Sequence, residues 1–549
     1  MQHYGWLGLL PPILTITLAL LTKEVIFSLF TGIFVGYLIV SSWNPITALI
    51  GVTDGLANVL NDGWNIRIVL FCAMLGALVG LTQATGAATA FGKWMASKVK
   101  TRVGVLLVTW FFGIVIFIDD YFNSLTIGTV MRPVTDEKKI SRAKLAYILD
   151  STAATDSSIA PISSWVVTIM SITKASEGFD KLGVNEFIFF IMLIPINLYA
   201  IIALLMVVQT SVRKDFGPML VSEARAIKGI GLYNEEKYGQ PTGKLDNIDV
   251  TGGKAKARDM ILPLVVLVIL AVIFFPMTTY LGAIDGENIK TLSDAMHSMT
   301  LGEAFNNTDA SKALFYSSIF TVVFTSLYYM FRKLLNIVQV GQALTDGIKS
   351  MVPALIILTL AWTIGGIIRM GPEDGGLGLG RYLAEVVAAG NFPIWLLPIV
   401  VFLIAALISF ATGTSWGTFA IMIPIAMPIA IALAEKNGAS MMNTALVAVG
   451  AAIGGAIFGD HCSPISDTTI LSSTGANCPH LEHVETQMPY AIFAMLVSAV
   501  GYLFAGIFDN PYIGTLVALI TFFVAYEIVI RVMKSDVDSV NLDAVKQKK

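Results

Sequence analysis

Charge is scarce in this chain. Asp, Glu, Lys and Arg supply 13% of its 549 residues, against about 25% in an average soluble domain. So low a share excludes a disordered scaffold and a soluble enzyme. The net charge of −3 excludes a nucleic-acid binder, which needs a basic face. Cysteine is also rare. Cys72, Cys462 and Cys478 are the only three, they sit among apolar or small residues, and they read as free thiols rather than a disulfide framework. A cleavable leader is not expected either. Residues 1–4 lack a basic segment, and the apolar stretch Gly5–Leu21 contains Pro11-Pro12 and runs into a second one, so it reads as a retained helix.

Apolar residues make up 55% of the chain, and the mean hydropathy is +0.75. One spanning helix takes about 20 of them, so the supply suffices for at most roughly 15 spans. The expected fold is an all-α polytopic membrane protein with about 12–15 membrane segments. Two of the apolar runs, 145–175 and 441–475, are long and carry polar patches.

Loop charges orient the chain. The longest hydrophilic stretch, Ser211–Asp259, carries nine Lys and Arg, so it is expected in the cytoplasm. The stretch Asp285–Asp309 has five acids and one lysine and is expected outside. Loop 93–102, Arg332-Lys333 and the tail from Arg531 are basic and are expected inside, which leaves the N-terminus out. The expected organisation is an N-terminal transmembrane repeat (1–210), a cytoplasmic linker (211–259), a C-terminal repeat with an extra helix (260–533) and a cytoplasmic tail (534–549). The membrane expected to hold it is the plasma membrane.

The repeat rests on five weak matches in constant order. Thr53-Asp54-Gly55 returns as Thr345-Asp346-Gly347, and Leu75–Val79 as Ile364–Ile368. Phe91–Trp94 returns as Leu379–Tyr382, Phe117–Tyr121 as Phe410–Thr414, and Pro161–Ser164 as Pro464–Asp467. The offset stays between 288 and 303 residues. Loop 93–102 has four basic residues and no acid, whereas its mate near 371–391 is acidic on balance. Corresponding loops therefore face opposite sides, the signature of inverted-topology repeats, which secondary transporters use to build midplane sites from broken helices.

Four polar patches interrupt apolar runs. The first holds Asp119, Asp120 and Asn123, and an acid at a helix centre costs about 2.5–3.5 kcal/mol to insert. The second, its mate in the repeat, holds Thr412, Thr414, Ser415 and Thr418, with Gly413 and Gly417 permitting unwinding. The third holds Asp156, Ser163 and Ser164 around the helix-breaking Pro161. Asp150, earlier in that run, reads as a helix-end residue. The fourth, densest in oxygen, holds Asp460, Ser463, Ser466 and Asp467 around Pro464. Cys478-x-His480-x-x-His483 has metal-like spacing but no paired CxxC, so no zinc site is expected.

These residues carry a family resemblance. Gly459-Asp460-His461-Cys462-Ser463-Pro464-Ile465-Ser466-Asp467-Thr468-Thr469, followed by Cys478 to Ala491, resembles the NhaC-type sodium/proton antiporters. Thr22–Val25, Phe117–Asn123 and Ala160–Trp165 are similar to that family too, so the likeness runs from about residue 8 to 510. The resemblance implies an ion-transporter fold with re-entrant hairpins, Na⁺ as the coupling ion, no other cofactor, and a homodimer in the lipid bilayer. It implies Na⁺/H⁺ antiport by alternating access, with both ions competing at buried carboxylates. Thr155-Asp156-Ser157-Ser158 departs from the apolar stretch expected there. That departure keeps a second reading open: Na⁺-coupled symport of a small amino acid or carboxylate.

Overall fold

The computed structural model describes residues 3–533 except 23–24, 118–119, 242–253, 286–288, 380–381, 383–385, 387–391 and 465. Among the described residues every regular element is a helix. Seven helices among the described residues are long and apolar enough to cross a membrane, from Gly63–Thr85 to Pro511–Val532. Two bent pairs, one of them Glu186–Ile196 with Leu198–Ile227 at 47°, qualify when each is taken as one span. Four shorter apolar helices accompany them. The expected all-helical, multi-pass architecture is what the structure has.

Ten helices position the site, numbered here in chain order. They are α1 (Arg102–Val115), α2 (Asp120–Glu137), α3 (Arg142–Ser157), α4 (Ser164–Ala175), α5 (Leu198–Val212), α6 (Leu397–Thr412), α7 (Ser415–Asn437), α8 (Met441–Cys462), α9 (Asp467–Ala476) and α10 (His480–Phe508). Four breaks separate α1 from α2, α3 from α4, α6 from α7 and α8 from α9. They fall on the four polar patches. The runs 145–175 and 441–475 are each two helices.

Local chemistry sets each break. After α6, Gly413 takes a left-handed φ of 70°, and its N–H closes the last turn on the carbonyl of Ser409 at 2.8 Å. Between α3 and α4, Pro161 has no N–H to continue a helix. The Ser163 hydroxyl then accepts from the N–H of Val166 at 3.1 Å and starts α4. Between α8 and α9, Pro464 plays the same part, and Ser466 caps α9 by accepting from the N–H of Thr469 at 3.2 Å.

Small residues bring these helices close. A Cβ on Gly455 would collide with the carbonyl of Phe402, and one on Gly459 with the carbonyl of Ala406, so α8 lies directly against the backbone of α6. A Cβ on Gly128 would sit 2.5 Å from the carbonyl carbon of Gly475, which fixes α2 against α9.

In the hydrophilic stretch after α5, the described residues 215–234 are not a loose tether. Its helix Gly217–Ile227 and the segment following it are tied to the ends of α3 and α10. Lys144, fully buried on α3, donates to Asp215 at 2.6 Å, and the Tyr490 hydroxyl donates to the same oxygen at 2.5 Å. Glu223 accepts from the N–H of Ser141 at 2.8 Å and pairs with Arg102. Glu482 accepts from Ser222 and from the N–H of Asn234, both at 2.8 Å.

A buried cation stripped of its partner is costly. Asp215→Asn is expected to destabilise the protein by about 3–5 kcal/mol, read as a lower unfolding temperature in detergent. Adding Lys144→Met should restore most of that loss. A double variant no more stable than the single one would contradict this role for the pair.

Candidate functional site

Asp460 lies two residues before the end of α8, buried to 1% exposure. Its Oδ2 accepts from the hydroxyl of Ser415 at 3.0 Å and from that of Thr468 at 3.3 Å. Ser415 is the first residue of α7, so its position follows from the break at Gly413. Thr468 belongs to the first turn of α9 and shares a hydrogen bond of 2.9 Å with Ser466. The carbonyl of Ala456 accepts from Ser409 at 2.6 Å and from Ser415 at 3.2 Å. The second and fourth polar patches thus converge on one carboxylate, set between two helix breaks.

Other expected site residues are distributed as follows. Ser463 is fully buried where α8 ends. Ser466 is fully buried in the same break. Asp467 begins α9, and its side chain lies outside the described ones. Thr412 and Thr418 donate to their own helices, to the carbonyls of Ile408 at 2.8 Å and Thr414 at 2.9 Å. Thr414 is half-buried at the start of α7. Ser163 donates to the carbonyl of Ser157 at 2.6 Å while capping α4, and Ser164 is fully buried beside it.

Asp120 and Asn123 of the first patch are buried as well. Asp119 lies outside the described residues. Asp120 opens α2 at 1% exposure. Asn123 donates to the carbonyls of Gly113 and Ile116 at 2.7 and 2.9 Å, which satisfies the open end of α1. The neighbouring Ser124 accepts from Ser472 of α9 at 3.2 Å, joining this patch to the fourth.

The reading of Asp150 as a helix-end residue is overturned. Asp150 lies in the middle of α3, fully buried, and it is Asp156 that stands next to the helix end. The reason is where α3 begins: Ser141 caps it well ahead of the apolar run, so Asp150 is carried inside. Asp150 Oδ2 accepts from Gln487 at 2.5 Å and from Thr469 at 3.1 Å, and lies 3.4 Å from His483 Nε2. Gln487 also donates to the carbonyl of His461 at 2.8 Å, and His461 Nδ1 is 3.1 Å from the Tyr199 hydroxyl. Asp150, Thr468, Thr469, His483 and Gln487 were not expected as site residues. One signal was available: His483 and Gln487 are four residues apart, hence on one face of a helix. The cysteine–histidine spacing has a different use, since His480 bonds Ser473 at 3.1 Å and the carbonyl of Pro464 at 2.7 Å, while His483 faces Asp150.

Several buried polar atoms lack a hydrogen-bond partner among the described residues. They include Asp150 Oδ1, His483 Nδ1, His461 Nε2 and Gln487 Oε1 in this cluster, and Asp156 Oδ2, Ser157 Oγ and Asn197 Oδ1 at the α3–α4 break. Unsatisfied groups inside a membrane protein are expensive, and they mark pathways for ions and protons.

The sequence model of the Na⁺/H⁺ antiporter family matches residues 160–507. The chain belongs to this family. It is therefore a multi-pass membrane transporter and not an enzyme, and the family identifies Na⁺ as a transported ion. An uncharacterised protein of Haemophilus influenzae is 36% identical over 514 residues, which cover 91% of this chain and 90% of that protein. The malate-2H⁺/Na⁺-lactate antiporter of Bacillus subtilis is 33% identical over 175 residues, 30% of this chain and 33% of that protein. An uncharacterised Na⁺/H⁺ antiporter of Haemophilus influenzae is 28% identical over 165 residues, 30% of this chain and 32% of that one. Both partial matches leave most of the transporter uncovered.

Gln487 offers a test of the cluster by stability alone. Gln487→Leu removes a donor shared by Asp150 and the carbonyl of His461. Leaving such groups short of a partner should cost about 1–3 kcal/mol, visible as a lower unfolding temperature. An unchanged melt would mean that the amide does not satisfy them.

Proposed function

We infer that the transporter exchanges Na⁺ for protons across the plasma membrane by alternating access, with Asp460 as the carboxylate that carries either ion. The observation that supports this most is the convergence of the breaks α6–α7 and α8–α9 on Asp460. A buried carboxylate needs neutralising, because an isolated charge in such a setting is very costly. A proton supplies that directly. A Na⁺ supplies it with help from neutral oxygens, and the hydroxyls of Ser415 and Thr468 already face the carboxylate. The two modes are mutually exclusive at one group. Exposing that group to each side in turn then exchanges one ion for the other.

The pattern of breaks supports the inverted-repeat reading. Breaks α1–α2 and α3–α4 in one half correspond in order to α6–α7 and α8–α9 in the other. In this reading residues 1–210 and 260–533 are the two repeats, with linker 211–259 and the C-terminal tail in the cytoplasm. Asp120, Asn123 and Asp156 then belong to the half-site opposite Asp460.

A second reading has one observation in its favour: a relative bears the name of a malate-2H⁺/Na⁺-lactate antiporter. Under it the chain moves a small carboxylate or amino acid together with Na⁺ flux. Asp156, whose Oδ2 at the α3–α4 break has no partner among the described residues, is then the acid suited to an α-ammonium group.

Liposomes holding a pH-sensitive dye separate the two. Exchange predicts a dye response to Na⁺ alone, lost in Asp460→Asn. In Ser415→Ala it should require about ten-fold more Na⁺, corresponding to about 1.4 kcal/mol for one lost ligand. Full activity of Asp460→Asn would sink the proposal. Silence until malate, lactate or an amino acid is added would favour the second reading.

A further inference from the structure

We propose that Asp150 and His483 form a second proton-binding site, linked to the cation site at Asp460 through Thr469 and Gln487, so that one Na⁺ displaces a proton from each site. This rests on the Na⁺/H⁺ reading of Asp460 and extends it, because competition at a single carboxylate involves one proton only.

The pair is built to take a proton. Asp150 and His483 are both fully buried, 3.4 Å apart. The donors from Gln487 and Thr469 both converge on Asp150 Oδ2, with His483 Nε2 3.4 Å away, while Oδ1 has no partner among the described residues. A proton arriving at Oδ1 displaces none of them. Neither ring nitrogen of His483 has a hydrogen-bond partner among the described residues. Other titratable groups act on the pair from every side: His461 and Cys462 from α8, Tyr199 from α5 and His480 from the start of α10.

The same donors reach the cation site. The Thr469 hydroxyl is 3.1 Å from Asp150 Oδ2 and 3.4 Å from the carbonyl of Asp460. It has one hydrogen to give. Gln487 spans Asp150 and the carbonyl of His461, the next residue along α8. Protonating Asp150 weakens its hold on both donors and frees them toward the end of α8 that carries Asp460. It also adds one positive charge near the site where Na⁺ would bind. Proton and Na⁺ therefore oppose each other, and the opposition is reciprocal.

Linkage counts the protons. The experiment uses the full chain in detergent. It measures Na⁺ affinity by calorimetry from about pH 5.5 to about pH 9, the range in which His titrates and shifted carboxyls can. It also measures the protons released per Na⁺ bound in weak buffer. With two linked sites, the slope of log Kd against pH on the acid side exceeds one and approaches two. Asp150→Asn should still bind Na⁺, with a slope of one. Thr469→Val, which keeps the pair and cuts one of the two links, should also fall below the wild-type slope, so the test stands if Asp150→Asn does not fold. A wild-type slope and proton count of one would overturn this inference and leave Asp460 exchange intact. An unchanged slope in both variants would overturn it too. Absence of Na⁺ binding in the wild type would overturn both readings.

Discussion

A carboxylate away from water must be neutralised or surrounded by donors, and the core of this transporter is organised around that need. Asp460 meets it with hydroxyls that come from two other helices, Ser415 of α7 and Thr468 of α9. Neither hydroxyl would face the acid if α6–α7 or α8–α9 were continuous. The left-handed turn at Gly413 and the proline at 464 are therefore conditions for the site as well as features of the backbone. The close approach of α8 to α6 at Gly455 and Gly459 is a further condition, because it brings the carbonyl of Ala456 within reach of Ser409 and Ser415.

What could be read from the sequence follows the same logic. Oxygen-bearing residues inside apolar runs marked all four breaks, with glycine or proline beside them in the second, third and fourth, since such polar residues are expensive in a membrane helix unless the helix is interrupted. The convergence of the second and fourth patches on Asp460 was not legible, because it depends on packing between α7, α8 and α9. Asp150 was misjudged because distance along an apolar run is not depth. The helix starts at Arg142, in a polar stretch, and carries Asp150 to its middle. His483 and Gln487 were missed for a related reason. The apolar run there begins at 489, whereas α10 begins at His480, so a polar first segment is helical and buried. Asp156 was placed deeper in the run than Asp150, but it stands beside the helix end.

The hydrophilic stretch after α5 adds a mechanical element through its described residues. Residues 215–234 are fastened to α3 and α10, the two helices that hold Asp150, His483 and Gln487. Lys144 of α3 and Tyr490 of α10 reach Asp215, and Glu482 of α10 reaches Ser222 and Asn234. The polar cluster and its outer fastening therefore share the same two helices, and a change in the spacing of α3 and α10 would be felt at both. The most hydrophilic stretch of the chain is part of the scaffold of its most buried polar groups.

The central claim is that the transported cation sits at Asp460, between the two breaks. Thallous ion is an electron-dense substitute for an alkali cation. Anomalous diffraction from crystals soaked in it would place it directly. The account predicts one peak between Ser415, Asp460 and Thr468, lost when Na⁺ is present in excess and absent in Asp460→Asn. A peak at Asp156 instead, or a peak that persists in Asp460→Asn, would contradict it.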